Sequence, residues 1–444
     1  MYSLGLDIGT TSCKICVVSV STTNDEKNNV VFTEQLTHNA HIVQKEFVSY
    51  DEQSPVKILD TVNTLLEKSG SFKDDIEIKS VQICGQMHGF ILWSSKSPRT
   101  IVSSLITWQD QRCSTEFLSS LGSSLAHLRT GYGLATLLWL INQQKGKEDE
   151  LIKYDRAGTI ADYIVAILCE DSITKSQISN QMATSWGALD NKWPIEHRLL
   201  PEIVEPGTII GYWKKNIPVY VALGDLQCST FSCQPKENEG IINISTSAQL
   251  ALVVDQKLST VQDDNLSLAS SMRVPYFQSK DLLVAASLNG GNILSAFVHL
   301  INSWQLSLNN NNNNSSFSLD ILWSRLIELG LQSTSTIENL SAALFGERHD
   351  PSMSASITNI RSINMSQLND IGSVFRSVCQ WIIKNLFEML GEDSLKMKGI
   401  IGTGSALMRN GVLQQELKKR VKCQVIFNEH SDAAYGSALF ALMQ

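Results

Sequence analysis

The sequence predicts an α/β protein built from two lobes of similar design, on three observations. Short apolar strands alternate with helical stripes along the chain. The chain opens with a strand, a small polar turn and a returning strand, and at Gly240 an opening of the same kind begins again. The chain has 444 residues, about three times a common single-domain length, so more than one core is expected.

In order, residues 3–7 form an apolar strand that ends on Asp7 and runs into the turn Gly9-Thr10-Thr11-Ser12. Residues 14–20 return from it, a polar tip covers 21–29, and residues 30–37 complete a β-meander. Apolar residues at 56, 58, 59, 62, 65 and 66 mark a helical stripe. Residues 78–84 form a strand ending in Gly85-Gln86-Met87-His88-Gly89. Residues 135–141 and 161–169 read as helices, and 219–223 as a strand ending in Gly224-Asp225. The second lobe starts at 239: its strand 241–244 leads to Ser245-Thr246-Ser247. Asn289-Gly290-Gly291-Asn292 then enters a helix with Asn292 as its expected cap, and Gly402-Thr403-Gly404-Ser405 precedes a helix over 411–421. The lobes are thus 1–238 and 239–444. Six asparagines at 309–314 followed by Ser315-Ser316 have nothing apolar to bury, which predicts a flexible surface insertion.

Composition narrows the function classes. Hydrophobic residues make up 43 % and charged residues 18 %, as in a well-buried globular protein. A net charge of −8 argues against a broad nucleic-acid surface. No run approaches the roughly 18 apolar residues that span a bilayer, and the first residues do not read as a secretory signal. The nine cysteines are scattered. Cys13 and Cys16 form a CxxC, but strand alternation puts them on opposite faces, which predicts buried, reduced thiols and a cytoplasmic protein. Oligomeric state is left open.

Four clusters could carry chemistry. A glycine after a strand lets backbone approach a ligand, so the amides and hydroxyls of Gly9, Thr10, Thr11 and Ser12 can donate to phosphate oxygens. Asp7 could hold Mg²⁺ there, and Lys14 could face phosphate or solvent. An ordinary polar hairpin turn is the bland alternative. Asp225, at a strand end, could accept a hydroxyl proton as that oxygen attacks phosphorus, or could merely cap the following helix. Gln86, Met87 and His88, with Trp108 and Asp110 about twenty residues on, offer the polar groups and aromatic wall that hold sugars. Thr246, Gly290 and Gly404 lie in small-residue turns that suit phosphate and nucleotide approach. No GxxxxGK[ST] loop occurs, so a Walker-type site is not expected.

Taken in order, these motifs resemble the FGGY carbohydrate kinases, whose ATPase core is shared with actin and hexokinase. The resemblance runs end to end, through Asp7–Ser12, Gly85–Gly89, Trp108-Gln109-Asp110, Ala222–Asp225, Gly346-Glu347-Arg348 and Gly402–Ala406. It implies two ribonuclease-H-like domains with MgATP and a sugar in the cleft between them. The first lobe would hold the sugar and the base, the second the nucleotide. Asp225 falls on the general base, and with Asp7 it is expected beside the metal. Met87, His88 and Asp110 fall where relatives contact sugar, with Gln86 and Trp108 beside them. Gly9 to Ser12 and Thr246 fall in phosphate loops, and Gly290 and Gly404 line the nucleotide. The implied reaction transfers the γ-phosphoryl of ATP to O7 of the ketose sedoheptulose, feeding the pentose phosphate pathway. Another ketose such as xylulose, and a non-catalytic sensor of sugar or nucleotide, are the alternatives. Two positions depart from the family pattern: Thr136 stands where a lysine is usual, and Asn180 where an aspartate is.

Overall fold

A computed structural model describes residues 2–19, 29–43, 49–71, 77–144, 150–169, 175–214, 216–256, 270–308, 318–337, 339–347, 349–350, 352–358, 370–429 and 431–444. The asparagine-rich insertion at 309–316, the polar tip at 21–28 and Arg348 lie outside the described residues.

Strands Tyr2–Ile8, Ser12–Ser19 and Asn29–Thr37 pair antiparallel, as the expected meander. Strand Ile78–Gly85 runs parallel to the first of them on its other side. Ile217–Tyr220 and then the antiparallel edge Ile209–Trp213 complete the sheet. The first strand is apolar almost throughout because both sheet faces are covered. The third carries exposed residues along its length, as an edge strand can. The strand expected over 219–223 is broken. Ile217–Tyr220 and Leu223–Gly224 each pair with Ile78–Gly85, and the residues between them turn aside. Side chains take the carbonyls there: Gln82 Nε2 donates to Val221 O at 2.8 Å and Ser179 Oγ to Ala222 O at 2.6 Å.

The second sheet repeats the plan. Glu239–Ile244, Ala248–Asp255 and Lys280–Ser287 form the antiparallel meander. Gly399–Thr403 and Gln424–Phe427 continue it in parallel, and Met272–Pro275 adds an edge beyond Lys280–Ser287. Helix Ile371–Leu390 buries Phe375, Cys379, Ile382 and Leu386 in this lobe's core.

The last helix, Ala433–Leu442, returns to the first lobe. It packs against Tyr2–Ile8 and against helix Asp225–Ser232. Two glycines allow the approach. A Cβ at Gly5 would lie 2.1 Å from Ala434 O, and one at Gly436 would lie 1.8 Å from Cys228 O. Cys13 and Cys16 point to opposite faces, the first into the main core of the lobe and the second against Ala434, Ala438 and Leu439. Both are free thiols, and burial pushes each up to about 12, which keeps them protonated and unreactive.

Candidate functional site

The two parallel strands at the centre of the first sheet end side by side, with Asp7 opposite Cys84 and Ile8 opposite Gly85. Gln86 N–H donates to Ile8 O at 2.9 Å, so the Gln86–Gly89 turn starts beside the Gly9–Ser12 turn. A Cβ at Gly85 would lie 2.7 Å from Ile8 O, which makes glycine necessary at that join. Gln53 bridges the two turns. It donates to Thr10 O at 2.8 Å and accepts from Gln86 Nε2 at 3.2 Å. Trp108 Nε1 donates to Thr10 Oγ1 at 3.1 Å, bringing the third motif to the same place. Within the turn, Gly9 N–H donates to Ser12 O at 3.0 Å.

Met87 reaches toward the other carboxylate. A Cβ on Gly224 would lie 2.9 Å from Met87 Sδ, so this methionine rests against the residue that precedes Asp225. His88 adopts a left-handed backbone (φ 71°), uncommon for a non-glycine residue. The turn is held by Ser185: His88 N–H donates to its Oγ at 3.1 Å, and Nδ1–H to its carbonyl at 2.7 Å. A carbonyl only accepts, so Nδ1 carries a proton in this contact. Tyr132 stacks on the imidazole with centroids 5.0 Å apart.

Asp110 has a different setting. It is 2 % exposed, and both oxygens are engaged. Oδ1 accepts from the Arg112 amide and Nε at 2.9 and 2.8 Å, and Oδ2 accepts from Arg112 Nη2 and the Asp51 amide at 2.9 and 2.8 Å. Arg112 also donates to Glu52 Oε1 at 2.6 Å and lies over the Tyr50 ring at 4.2 Å. The carboxylate expected against sugar is thus held behind the surface by an arginine.

Asp225 is the first residue of helix Asp225–Ser232, and Gly224 occupies the cap position. Its Oδ1 accepts from the adjacent Leu226 N–H at 2.7 Å. That is not the reach of a capping side chain to the second or third amide, so the bland reading does not describe this residue. Burial pushes Asp225 up to about 6, against the pull of the first helical amides. Asp7 is pushed up to about 8, first by burial and then by the charges of Asp225 and Asp432. Lys14 opposes that rise, but its ammonium is paired with Asp432 Oδ2 at 2.8 Å rather than turned to phosphate or solvent. Asp432 also caps the last helix through the Tyr435 amide, at 2.8 Å.

This arrangement has a stability consequence. Between the ordinary carboxylate range and about pH 8 the folded protein holds a proton on Asp7 that the unfolded chain has released. Stability therefore falls as pH rises through that window. In metal-free protein, the Tm advantage of Asp7→Asn over wild type should grow between pH 5 and pH 9. An equal difference at both ends would contradict the assigned burial and repulsion.

The three turns of the second lobe also converge. Gly291 and Asn292 amides donate to Ser245 O and Thr246 O at 2.8 and 3.0 Å, and the Ser405 amide to Ser245 Oγ at 3.3 Å. A Cβ on Gly290 would lie 2.4 Å from the Ser247 carbonyl carbon. Gly404, with φ 96°, packs on Ile244 O, where a Cβ would come within 2.4 Å. Thr246, Gly290 and Gly404 therefore share one surface. Asn292 is not the helix cap expected of it. It lies inside helix Gly291–Leu308, and its Oδ1 accepts from the Gly290 amide at 2.8 Å, tightening the turn. Behind it Glu347 is buried, accepting from Asn289 Nδ2 at 3.0 Å, Asn385 Nδ2 at 2.8 Å and the Leu288 amide at 3.1 Å.

The two departures from family pattern have local partners. Thr136 is buried beside Cys113 in helix Gly133–Gln143. Asn180 donates to Glu205 at 2.9 Å, a contact an aspartate would turn into repulsion.

Among the described residues no group of three or more His, Cys, Asp or Glu side chains could hold a metal ion by itself. Mg²⁺ does not ask for one, since it takes one or two carboxylates and fills its shell with water and phosphate oxygens. Two hard-oxygen donors, one of which raises the proton affinity of the other as Asp225 does for Asp7, fit that need. No helix among the described residues is long and apolar enough to cross a membrane.

Residues 2–232 match the N-terminal domain of the FGGY family of carbohydrate kinases. Two relatives align over nearly all of both chains. A sedoheptulokinase of Mus musculus is 34 % identical, covering 100 % of this chain and 97 % of its own. One of Homo sapiens is 35 % identical, covering 99 % and 97 %. A xylulose kinase of Staphylococcus xylosus is 24 % identical over 100 % of this chain and 90 % of its own. Among solved structures, a ligand-bound xylulose kinase of Lactobacillus acidophilus superposes with TM-score 0.77 at 19 % identity, covering 99 % of this chain and 88 % of that one. A Plasmodium falciparum glycerol kinase with ADP gives 0.76 at 18 % identity, with the same coverage. These share the two-domain fold of the actin and hexokinase type. The chain belongs to the FGGY family and is a carbohydrate kinase.

Proposed function

We propose that this kinase transfers the γ-phosphoryl group of ATP to the terminal O7 of sedoheptulose, giving sedoheptulose 7-phosphate and ADP. The observation that carries the substrate is the likeness to two sedoheptulokinases over nearly the whole length of each chain. The division of labour follows the convergence of side chains. Residues 1–238, with the returning helix Ala433–Leu442 packed on them, hold the sugar and the base, and the rest of 239–444 the nucleotide.

Gln86, Met87, His88 and Trp108 form the wall against which the ketose lies, with Asp110 behind it holding Arg112 and the Asp51 amide in place. Asp225 accepts the proton of the attacking hydroxyl. A carboxylate raised to about 6 is a stronger base than an ordinary one, yet is mostly ionised at neutral pH. Amides and hydroxyls of Gly9, Thr10, Thr11 and Ser12, and of the turn around Thr246, hold phosphate oxygens. Gly290 and Gly404 let the nucleotide approach backbone closely. Asp7 and Asp225 would hold Mg²⁺, whose chemistry is to neutralise charge on the transferring phosphates. The product would enter sugar-phosphate metabolism of the pentose phosphate type.

The alternative is another ketose, favoured by the match to a xylulose kinase along the full chain. A panel of C5, C6 and C7 ketoses with ATP separates the two. Sedoheptulose should give the highest kcat/KM, and a higher value for xylulose would overturn the assignment.

A further inference from the structure

Helix Asp225–Ser232 is tied to the second lobe through Gln227. This side chain is fully buried, and its Nε2 donates to Pro275 O at 3.2 Å. Because a carbonyl only accepts, that contact fixes which way the amide points. Oε1 is thereby turned to Gly224, where an added Cβ would lie 2.1 Å from it. There Oε1 has no hydrogen-bond partner among the described residues. The link to Pro275 is therefore kept although it strands a buried acceptor, which folded proteins rarely allow without a reason.

On its other side, Gly224 N–H donates to Oε1 of Gln181 at 3.3 Å. Gln181 is also fully buried, on helix Asn180–Trp186, which packs on strand Met272–Pro275. The residue before Asp225 is thus set between two buried amides, one bonded to this edge strand of the second lobe and the other on a helix that packs against it. That strand pairs with Lys280–Ser287, Pro275 opposite Asp281. Lys280–Ser287 in turn delivers the Gly290–Gly291 turn that packs on Ser245 and Ser247. A continuous set of contacts therefore runs from the nucleotide-side turns to the first turn of the helix that carries Asp225.

We propose that Gln227 is a positioning residue that carries the placement of the second lobe, and hence nucleotide occupancy, to Asp225. The inference rests on the roles proposed above for Asp225 and the second lobe. Its test is read from binding, so that its failure is separable from theirs. The affinity of the wild-type enzyme for sedoheptulose is measured by calorimetry with and without a non-hydrolysable ATP analogue and Mg²⁺, then repeated for Gln227→Met, which keeps volume and removes the donor. Wild type should bind sugar about fivefold or more tightly with the analogue, the lower end of ordinary coupling between sites. Gln227→Met should bring that ratio close to one and lower kcat, while the affinity for the analogue in the absence of sugar stays within about twofold. A wild-type ratio of one, or an undiminished ratio in Gln227→Met, would overturn the proposal. An undiminished ratio beside an inactive Asp225→Asn enzyme would leave the base assignment standing. If Gln227→Met does not fold, hydrogen exchange in wild type decides. The analogue alone should slow the amides of residues 225–232, and unchanged exchange there would overturn the coupling.

Discussion

Asp225→Asn is expected to lower kcat by about 10²-fold or more while leaving ATP affinity largely intact. The substitution keeps the shape of the side chain and its hydrogen bond from the Leu226 amide, but removes the only form that can take a proton. The reason for a large effect lies in the setting. Burial raises Asp225 from 3.8 to about 6, so its ionised form holds a proton more strongly than an exposed aspartate would. The sign is then fixed. Below about pH 6 the base is protonated and idle, and above it the base is available, so wild-type kcat should climb through that value and level off. Asp225→Asn should lose this rise along with its turnover. A variant with wild-type kcat would remove Asp225 from proton transfer.

Arg112→Met should be the most damaging single change beside the sugar wall, costing about 3–5 kcal/mol of unfolding free energy. Arg112 supplies two side-chain donors to Asp110, a third contact to Glu52, and a guanidinium face to Tyr50. Its removal leaves the Asp110 carboxylate buried with only two backbone amides, from Asp51 and residue 112. An uncompensated buried charge is the costly outcome, more than the loss of the pair itself. The double variant Arg112→Met with Asp110→Asn should therefore regain part of the loss. Urea unfolding checks both. A single-variant loss below about 1 kcal/mol would mean the pair behaves like an exposed one.

The local grammar of the chain was readable, and what depended on distant partners was not. The meander, the strand into Gln86-Met87-His88, and the small-residue turns at 245–247, 290 and 404 follow from apolar runs punctuated by glycine and hydroxyl residues. The opposite faces of Cys13 and Cys16 follow from strand alternation alone. Lys14 shows the limit. Its partner Asp432 is 418 residues away on the last helix, and no spacing rule connects them. The return of Ala433–Leu442 to the first sheet is encoded by Gly5 and Gly436, but each of those glycines looks ordinary until the other surface is beside it.

The site divides in the same way. Motif spacing proposed Gln86, Trp108 and Thr10 separately, and Gln53, which joins two of them, lies in a polar stretch with no motif around it. Asp110 shows why residue type does not settle a role. The neighbour that engages it, Arg112, stands only two positions away in the chain, but only packing shows that both carboxylate oxygens are taken. The strand break at Val221 and Ala222 arises from Gln82 and Ser179 competing for main-chain carbonyls, a contest that apolar patterning does not register.

A direct competition tests whether this kinase serves a seven-carbon ketose. Equal concentrations of sedoheptulose and xylulose are offered with limiting ATP and Mg²⁺, and the phosphorylated products are quantified. Their ratio reports the ratio of kcat/KM without separate fits for each sugar. Sedoheptulose 7-phosphate should dominate. An excess of xylulose 5-phosphate would contradict it.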